Sequence, residues 1–136
     1  MNDTERLELL ESILDELQEM SSTHICLIEG NKDRRALDNL GLDDLMTIEV
    51  QREGGPLRAA ERVSSMNKEA IILTDWDDRG NRIEKDLREQ LDALCVRYDT
   101  EIRERLRDIC IKDIKDVESL DSLYKRLKNE SDIQNV

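Results

Sequence analysis

Two short runs of almost unbroken apolar residues, HICLI at residues 24–28 and AIILT at residues 70–74, set the tightest limit on the fold. A strand with one wet face alternates apolar and polar side chains, whereas a strand covered on both faces, as in a parallel sheet, reads apolar throughout. Around these runs the spacing turns helical. Residues 33–40 carry Ala36, Leu37 and Leu40 and stop at Gly41, a residue suited to a helix end. Residues 46–50 read as a second extended run, Gly54-Gly55 as a turn, and Pro56 as the start of a helix running through Leu57, Ala60, Val63 and Met66. Ile83, Leu87, Leu91 and Leu94 mark a further helix, and residues 95–97 a short fourth strand. Ile102, Leu106 and Ile109 mark the next helix, and Leu120, Leu123, Tyr124 and Leu127 a last one over residues 119–128. Residues 111–117 fit neither period. Alternating strands and helices predict an α/β domain, a four-stranded, mainly parallel sheet sandwiched between helices.

Residues 3–20 place Leu7, Leu10, Ile13, Leu14, Leu17 and Met20 on one helical stripe. The same segment holds seven acids against the single base Arg6, a net charge of 1 − 7 = −6, half of the chain's −12. The stripe is expected to pack on its own domain; its other use would be docking a protein partner or a second copy. The sequence therefore divides into an N-terminal amphipathic helix at residues 1–22, a domain with a C-terminal helical extension at residues 23–128, and a disordered tail at residues 129–136. With 2% aromatic residues and no Phe, the core must be aliphatic. No apolar run reaches the roughly 18 residues of a bilayer span, and the acidic amino terminus is unlike a signal peptide, so no membrane contact and a cytoplasmic location are expected. Cys26, Cys95 and Cys110 are widely spaced among apolar neighbours, a pattern of buried reduced thiols that argues against a disulfide framework or a zinc site. The negative charge opposes indiscriminate coating of nucleic acid, so any such contact must be local.

In open α/β sheets, ligands bind beyond the carboxyl ends of the strands. Two strand patterns end there in acids: Glu29-Gly30, and Asp75-Trp76-Asp77-Asp78. Continued extended backbone would set Asp75 and Asp77 on one side as a carboxylate pair, which hard divalent ions such as Mg2+ neutralise while keeping waters for a phosphate. Glu29 would then hold a second ion or move a proton. Gly30 and Gly80 would permit close backbone approach or positive φ. The competing reading makes Asp77 or Asp78 a helix cap and Glu29 a solvated acid. A calcium EF-hand is rejected: Arg79 stands at its fifth position, Asp86 replaces Glu at its twelfth, and a strand precedes it. Gly54-Gly55 belongs to no phosphate-loop pattern.

These residues resemble the Toprim domain shared by type IA and type II topoisomerases, bacterial-type primases, old-family nucleases and the ribonuclease that matures 5S ribosomal RNA. The matching segments are IEGNKDRRAL, with Glu29, Gly30 and Asp33, and ILTDWDDRGNRI, with Asp75, Asp77 and Gly80. The likeness spans residues 24–97, and the chain is similar in size to stand-alone Toprim proteins of archaea and bacteria. Asn31 stands where nuclease-like members often have Lys, and Trp76 where Pro or Phe is common, which leaves substrate choice open. The resemblance implies Glu29 as general acid or base and as a metal-site residue, Asp75 and Asp77 as ligands of Mg2+ or Mn2+, and phosphodiester cleavage or nucleotidyl transfer on RNA or DNA. Lys32, Asp33, Arg34, Arg58 and Arg79 are candidate substrate contacts; Arg35, Arg62 and Arg82 share their loops and helix starts. A haloacid-dehalogenase-type phosphatase also begins with Asp-x-Asp, but Arg79 departs from that motif. The remaining alternatives are a non-catalytic Toprim adaptor and a small-molecule phosphohydrolase. Trp76 has two readings, a base-stacking platform or a packing residue; His24 reads as structural, and Tyr98 and Tyr124 lie outside any nucleophile setting. No tyrosine-bearing cleavage domain or zinc module accompanies the motif, so neither a complete topoisomerase nor a complete primase is expected.

Overall fold

The computed structural model describes residues 1–134. In chain order the elements are α1 (Asp3–Met20), β1 (His24–Ile28), α2 (Asn31–Asn39), β2 (Thr47–Glu49), α3 (Val50–Glu53), α4 (Pro56–Ser65), β3 (Glu69–Ile72), α5 (Asp78–Ala93), β4 (Tyr98–Asp99), α6 (Glu101–Cys110), a 3-10 turn (Val117–Ser119) and α7 (Leu120–Gln134). The four strands form one sheet in the order β2-β1-β3-β4, parallel throughout. Cys26 lies opposite both Thr47 of β2 and Ile71 of β3, and Ala70 lies opposite Tyr98 of β4.

The unbroken apolar runs are explained by the two layers that cover them. Cys26, Ile28, Ile71 and Leu73 face one core with α1, Leu37 of α2, α6 and α7, while Ile25, Leu27, Ile48, Ala70 and Ile72 face a second core with Ala59, Ala60, Val63, Leu87 and Leu91. Each fully buried Leu or Ile contributes about 1.5–3 kcal/mol relative to exposure, so the two inner strands anchor both layers.

The apolar stripe of α1 is spent on the domain itself: Leu7, Leu10, Ile13, Leu14 and Leu17 are buried in the first core, leaving no continuous stripe for a partner. Asn2 caps the helix by accepting the Glu5 N–H at 2.8 Å. Arg6 is buried on the same stripe as Leu10, Ile13 and Leu17 because its guanidinium serves the end of α6. Its Nε and Nη2 donate to the Ile109 carbonyl at 3.1 and 2.9 Å, and it pairs with Asp3 and Asp113. A buried cation is tolerable when each donor finds such an acceptor.

The structure corrects several boundaries. The fourth strand is Tyr98–Asp99, because Cys95 turns the chain with a φ of +56°, a left-handed conformation no strand residue adopts. Cys95 is consequently exposed, unlike Cys26 and Cys110. Residues 129–134, expected to be disordered, continue α7; residues 135–136 of that expected tail lie outside the described residues. The second extended run shortens to Thr47–Glu49, and Val50 begins a helical turn. Among the described residues no helix is long and apolar enough to cross a membrane.

Truncating the α1 stripe tests its place in the core. Leu10→Ala should lower unfolding free energy by about 2–5 kcal/mol in urea titrations, while Leu9→Ala on the exposed side of the same helix should stay within about 0.5 kcal/mol.

Candidate functional site

The chain passes from β1 to β2 on one flank and then crosses back over β1 to β3 and on to β4 on the other. Such a reversal leaves a crevice beyond the carboxyl ends of the two diverging strands, here β1 and β3. Glu29 directly follows β1, and Asp75 follows β3 after the single extra ladder bond from the Leu73 N–H to the Leu27 carbonyl, 2.9 Å. The two meet: Glu29 Oε2 accepts the Asp75 N–H at 2.7 Å, although Glu29 is only 5% exposed. Asp33, equally buried, turns its Oδ2 back to the N–H groups of Glu29 and Gly30 at 3.2 and 3.1 Å. It thereby fixes the β1–α2 junction through its Oδ2.

Glu29, Asp33 and Asp75 line one crevice of about 590 Å³, together with Gly30, Asn31, Lys32, Arg35, Gln51, Arg79 and Glu118. Lys32 and Arg79 thus stand where expected. Arg34 does not: it reaches sideways to Asp38 and to Thr47 Oγ1. Arg58 is also outside the crevice and lies against Gly54 at the start of α4. Asp77 is exposed and caps α5, its Oδ1 accepting the Gly80 N–H at 2.7 Å. It does not line the crevice with Asp75, because the backbone leaves the sheet to enter α5 before a second carboxylate can follow the first. Neither Gly30 nor Gly80 has positive φ. Gly80 is required for close approach, since a Cβ there would overlap the Asp75 carbonyl; at Gly30 it would come within 3.2 Å of Gln51 Oε1.

The Asp75 loop is held from the C-terminal side. Arg103 of α6, 4% exposed, donates from Nε to the Thr74 carbonyl at 2.9 Å and from Nη2 to the Asp75 carbonyl at 2.6 Å and Asn81 Oδ1 at 2.7 Å; it also pairs with Glu84. The Val117 N–H donates to Asp75 Oδ1 at 2.9 Å. Trp76 is buried in the first core, with its indole N–H on the Ile114 carbonyl at 2.8 Å and its backbone N–H on the Lys115 carbonyl at 3.0 Å. Packing, not base stacking, is therefore its role. Arg103, Val117 and Glu118 lie beyond the residues that carry the motifs, so the sequence reading missed them. One signal was present: Arg103 shares a helical face with Leu106 and Cys110, a charge on an apolar stripe, as Arg6 does in α1.

Burial raises the Asp75 carboxyl to about 8, against the Val117 N–H that favours its charged form, and the neighbouring charges of Asp33 and Glu29 push the same way as burial. Burial likewise raises Asp33 to about 6, opposed by the Gly30 and Glu29 N–H groups and helped by the Glu29 and Glu118 charges. Among the described residues no Lys or Arg forms an ion pair with Glu29, Asp33, Asp75 or Glu118. No group of three or more His, Cys, Asp and Glu among them is already arranged around an ion. The donors present are hard oxygens, a set that suits Mg2+ or Mn2+, and Mg2+ needs only one or two carboxylates beside its waters.

These features define a doubly wound, all-parallel α/β domain with an acidic crevice at its topological switch point. A UPF0292 protein of Methanosarcina acetivorans is 34% identical over 129 residues, covering 94% of this chain and 88% of its own length. A UPF0292 protein of Pyrococcus abyssi is 36% identical over 123 residues, covering 90% and 89%. The chain belongs to the UPF0292 family. A solved structure from Aquifex aeolicus shares the fold with a TM-score of 0.70 at 23% identity, over 82% of this chain and 97% of that one. No family model matches the chain.

The raised carboxyls set a pH dependence. Below its ordinary value of 3.8, Asp75 is protonated in both folded and unfolded chains; between 3.8 and about 8 the unfolded chain releases the proton that the folded one retains. Stability without divalent ions should therefore fall as pH rises through this window, and Asp75→Asn should flatten that fall. Urea midpoints at pH 5 and pH 8 in chelator check the sign.

Proposed function

We propose that the protein performs divalent-cation-dependent phosphodiester chemistry on nucleic acid, cleaving or transferring at the crevice between β1 and β3, as the Toprim resemblance implies. The observation that carries this reading is the meeting of Glu29 and Asp75 at the switch point, beside Asp33, in a cluster of carboxyl groups that forms no ion pair with Lys or Arg among the described residues. A bound Mg2+ or Mn2+ supplies charge neutralisation of the phosphate and polarisation at phosphorus. Asp75 and Glu29 would hold it, while Asp77, which caps α5, stands outside the crevice that they line. Glu29 is the proton-moving group, positioned by the Asp75 N–H on one of its oxygens. Lys32, Arg35 and Arg79 line the crevice without an ion pair among the described residues, and so are available to a phosphate backbone.

Charge distribution favours a sided approach. The −6 of α1 lies against the first core, whereas Arg79 opens α5 on the other face of the sheet. A polyanion is repelled from the α1 side and meets the crevice from the α4–α5 side. The adaptor reading loses its apolar stripe to the domain's own core. Three unpaired cysteines suit a reducing, cytoplasmic setting, which belongs to the same proposal.

Labelled RNA and DNA incubated with Mg2+ or Mn2+ test the reading, with nucleotides and sugar phosphates assayed in parallel. Glu29→Gln retains an oxygen for the Asp75 N–H, so the fold should persist while turnover falls about 10²-fold or more. Turnover that survives this change would remove Glu29 from the chemistry, and turnover of small phosphates alone would make the protein a phosphohydrolase. Asn caps helices as well as Asp, so Asp77→Asn reads the charge alone. It should weaken Mn2+ binding less than Asp75→Asn does, as measured by calorimetry.

A further inference from the structure

The loop bearing Asp75 leaves the sheet at Leu73, and the hydrogen bonds that hold Thr74, Asp75 and Trp76 thereafter come largely from residues 103–117. Arg103 grips two consecutive carbonyls, those of Thr74 and Asp75, with donors of one planar fork. Val117 opens the 3-10 turn capped by Asp116, whose Oδ1 accepts the Ser119 N–H at 3.0 Å. At the first position of a helical turn the N–H has no partner within the turn, and this one is spent on Asp75 Oδ1.

We infer that residues 103–117 present Asp75 to the cation, with Arg103 positioning the loop backbone and the Val117 N–H positioning the carboxylate itself. The inference rests on the cation-dependent reading above and names two positioning groups that act through Asp75 without touching substrate. A carboxylate is planar; with its backbone clamped and Oδ1 pinned, Oδ2 is held in one direction without a search through rotamers. The Glu29 bond to the Asp75 N–H is set by the same clamp, because Arg103 Nε on the Thr74 carbonyl fixes the Thr74–Asp75 peptide whose N–H donates to Glu29. Arg103 therefore governs the distance between the two acids, and Val117 the aim of one of them.

Calorimetric titration of the full chain with Mn2+ at fixed pH tests this. Pro is tolerated at the first position of a helical turn, so Val117→Pro deletes the donor while keeping the turn. Arg103→Lys keeps the charge but loses the fork. Each should raise the Mn2+ dissociation constant about tenfold or more, while Arg6→Lys, a change in the chain's other buried arginine away from the crevice, should leave it within about twofold. Arg103→Met should weaken binding further than Arg103→Lys. If Val117→Pro fails to fold, Arg103→Lys decides. Folded variants binding Mn2+ as the parent does would overturn the inference, as would an equal loss in Arg6→Lys. A parent chain that binds no Mn2+ would overturn the cation-dependent reading and this inference with it; unaffected variants of a binding parent would remove this inference alone.

Discussion

A single buried carboxylate ties the first strand to the third. Glu29 Oε2 on the Asp75 N–H closes the gap that the sheet leaves open beyond Leu73, and the crevice takes its shape from that link. The same carboxyl group is buried beside Asp33 and Asp75, and among the described residues no Lys or Arg forms an ion pair with any of the three. The fold therefore crowds carboxyl groups at a place where burial, rather than a basic side chain, answers the crowding, by keeping the proton on Asp75 up to about pH 8. Aliphatic packing on both faces of β1 and β3 supplies the stability that makes such an arrangement tolerable.

The acids are not equivalent, and their backbone partners separate them. Asp33 spends an oxygen on the start of α2, and Asp77 spends one on the start of α5. Asp75 alone has its carboxylate, amide and carbonyl engaged by three different parts of the chain. Its carboxyl is raised further than that of Asp33, a rise produced by burial and the neighbouring Asp33 and Glu29 charges against the Val117 N–H.

Much of this was legible in the residues. Strand runs that are apolar on both faces required a doubly covered parallel sheet, and the acids after β1 and β3 required attention because strand ends are where such sheets bind. Periodicity also placed α1, α4, α5 and α6 within a few residues. What was not legible depends on contacts between distant segments. That Asp77 would cap a helix while Asp75 faced Glu29 follows from the angle at which the backbone leaves the sheet, and local alternation does not encode that angle. Arg34 bears the same charge as Arg35, yet Thr47 and Asp38 draw it away from the crevice. The segment at residues 111–117 had no period because its carbonyls and one N–H are committed to Trp76 and Asp75 rather than to a helix of its own. Cutting the chain at residue 97, where the recognisable motifs stop, would strip Asp75 and Trp76 of these partners.

The left-handed turn at Cys95 has a practical consequence. It sits where α5 returns to β4, at the amino-terminal rim of the sheet, opposite the crevice, and it exposes the thiol while Cys26 and Cys110 stay buried with their thiols made harder to ionise by burial. Thiolates react and buried thiols do not, so the native chain carries one addressable point for a maleimide dye or a surface tether. A molecule anchored there would turn its acidic mouth toward the solvent, ready for single-molecule observation without engineered cysteines.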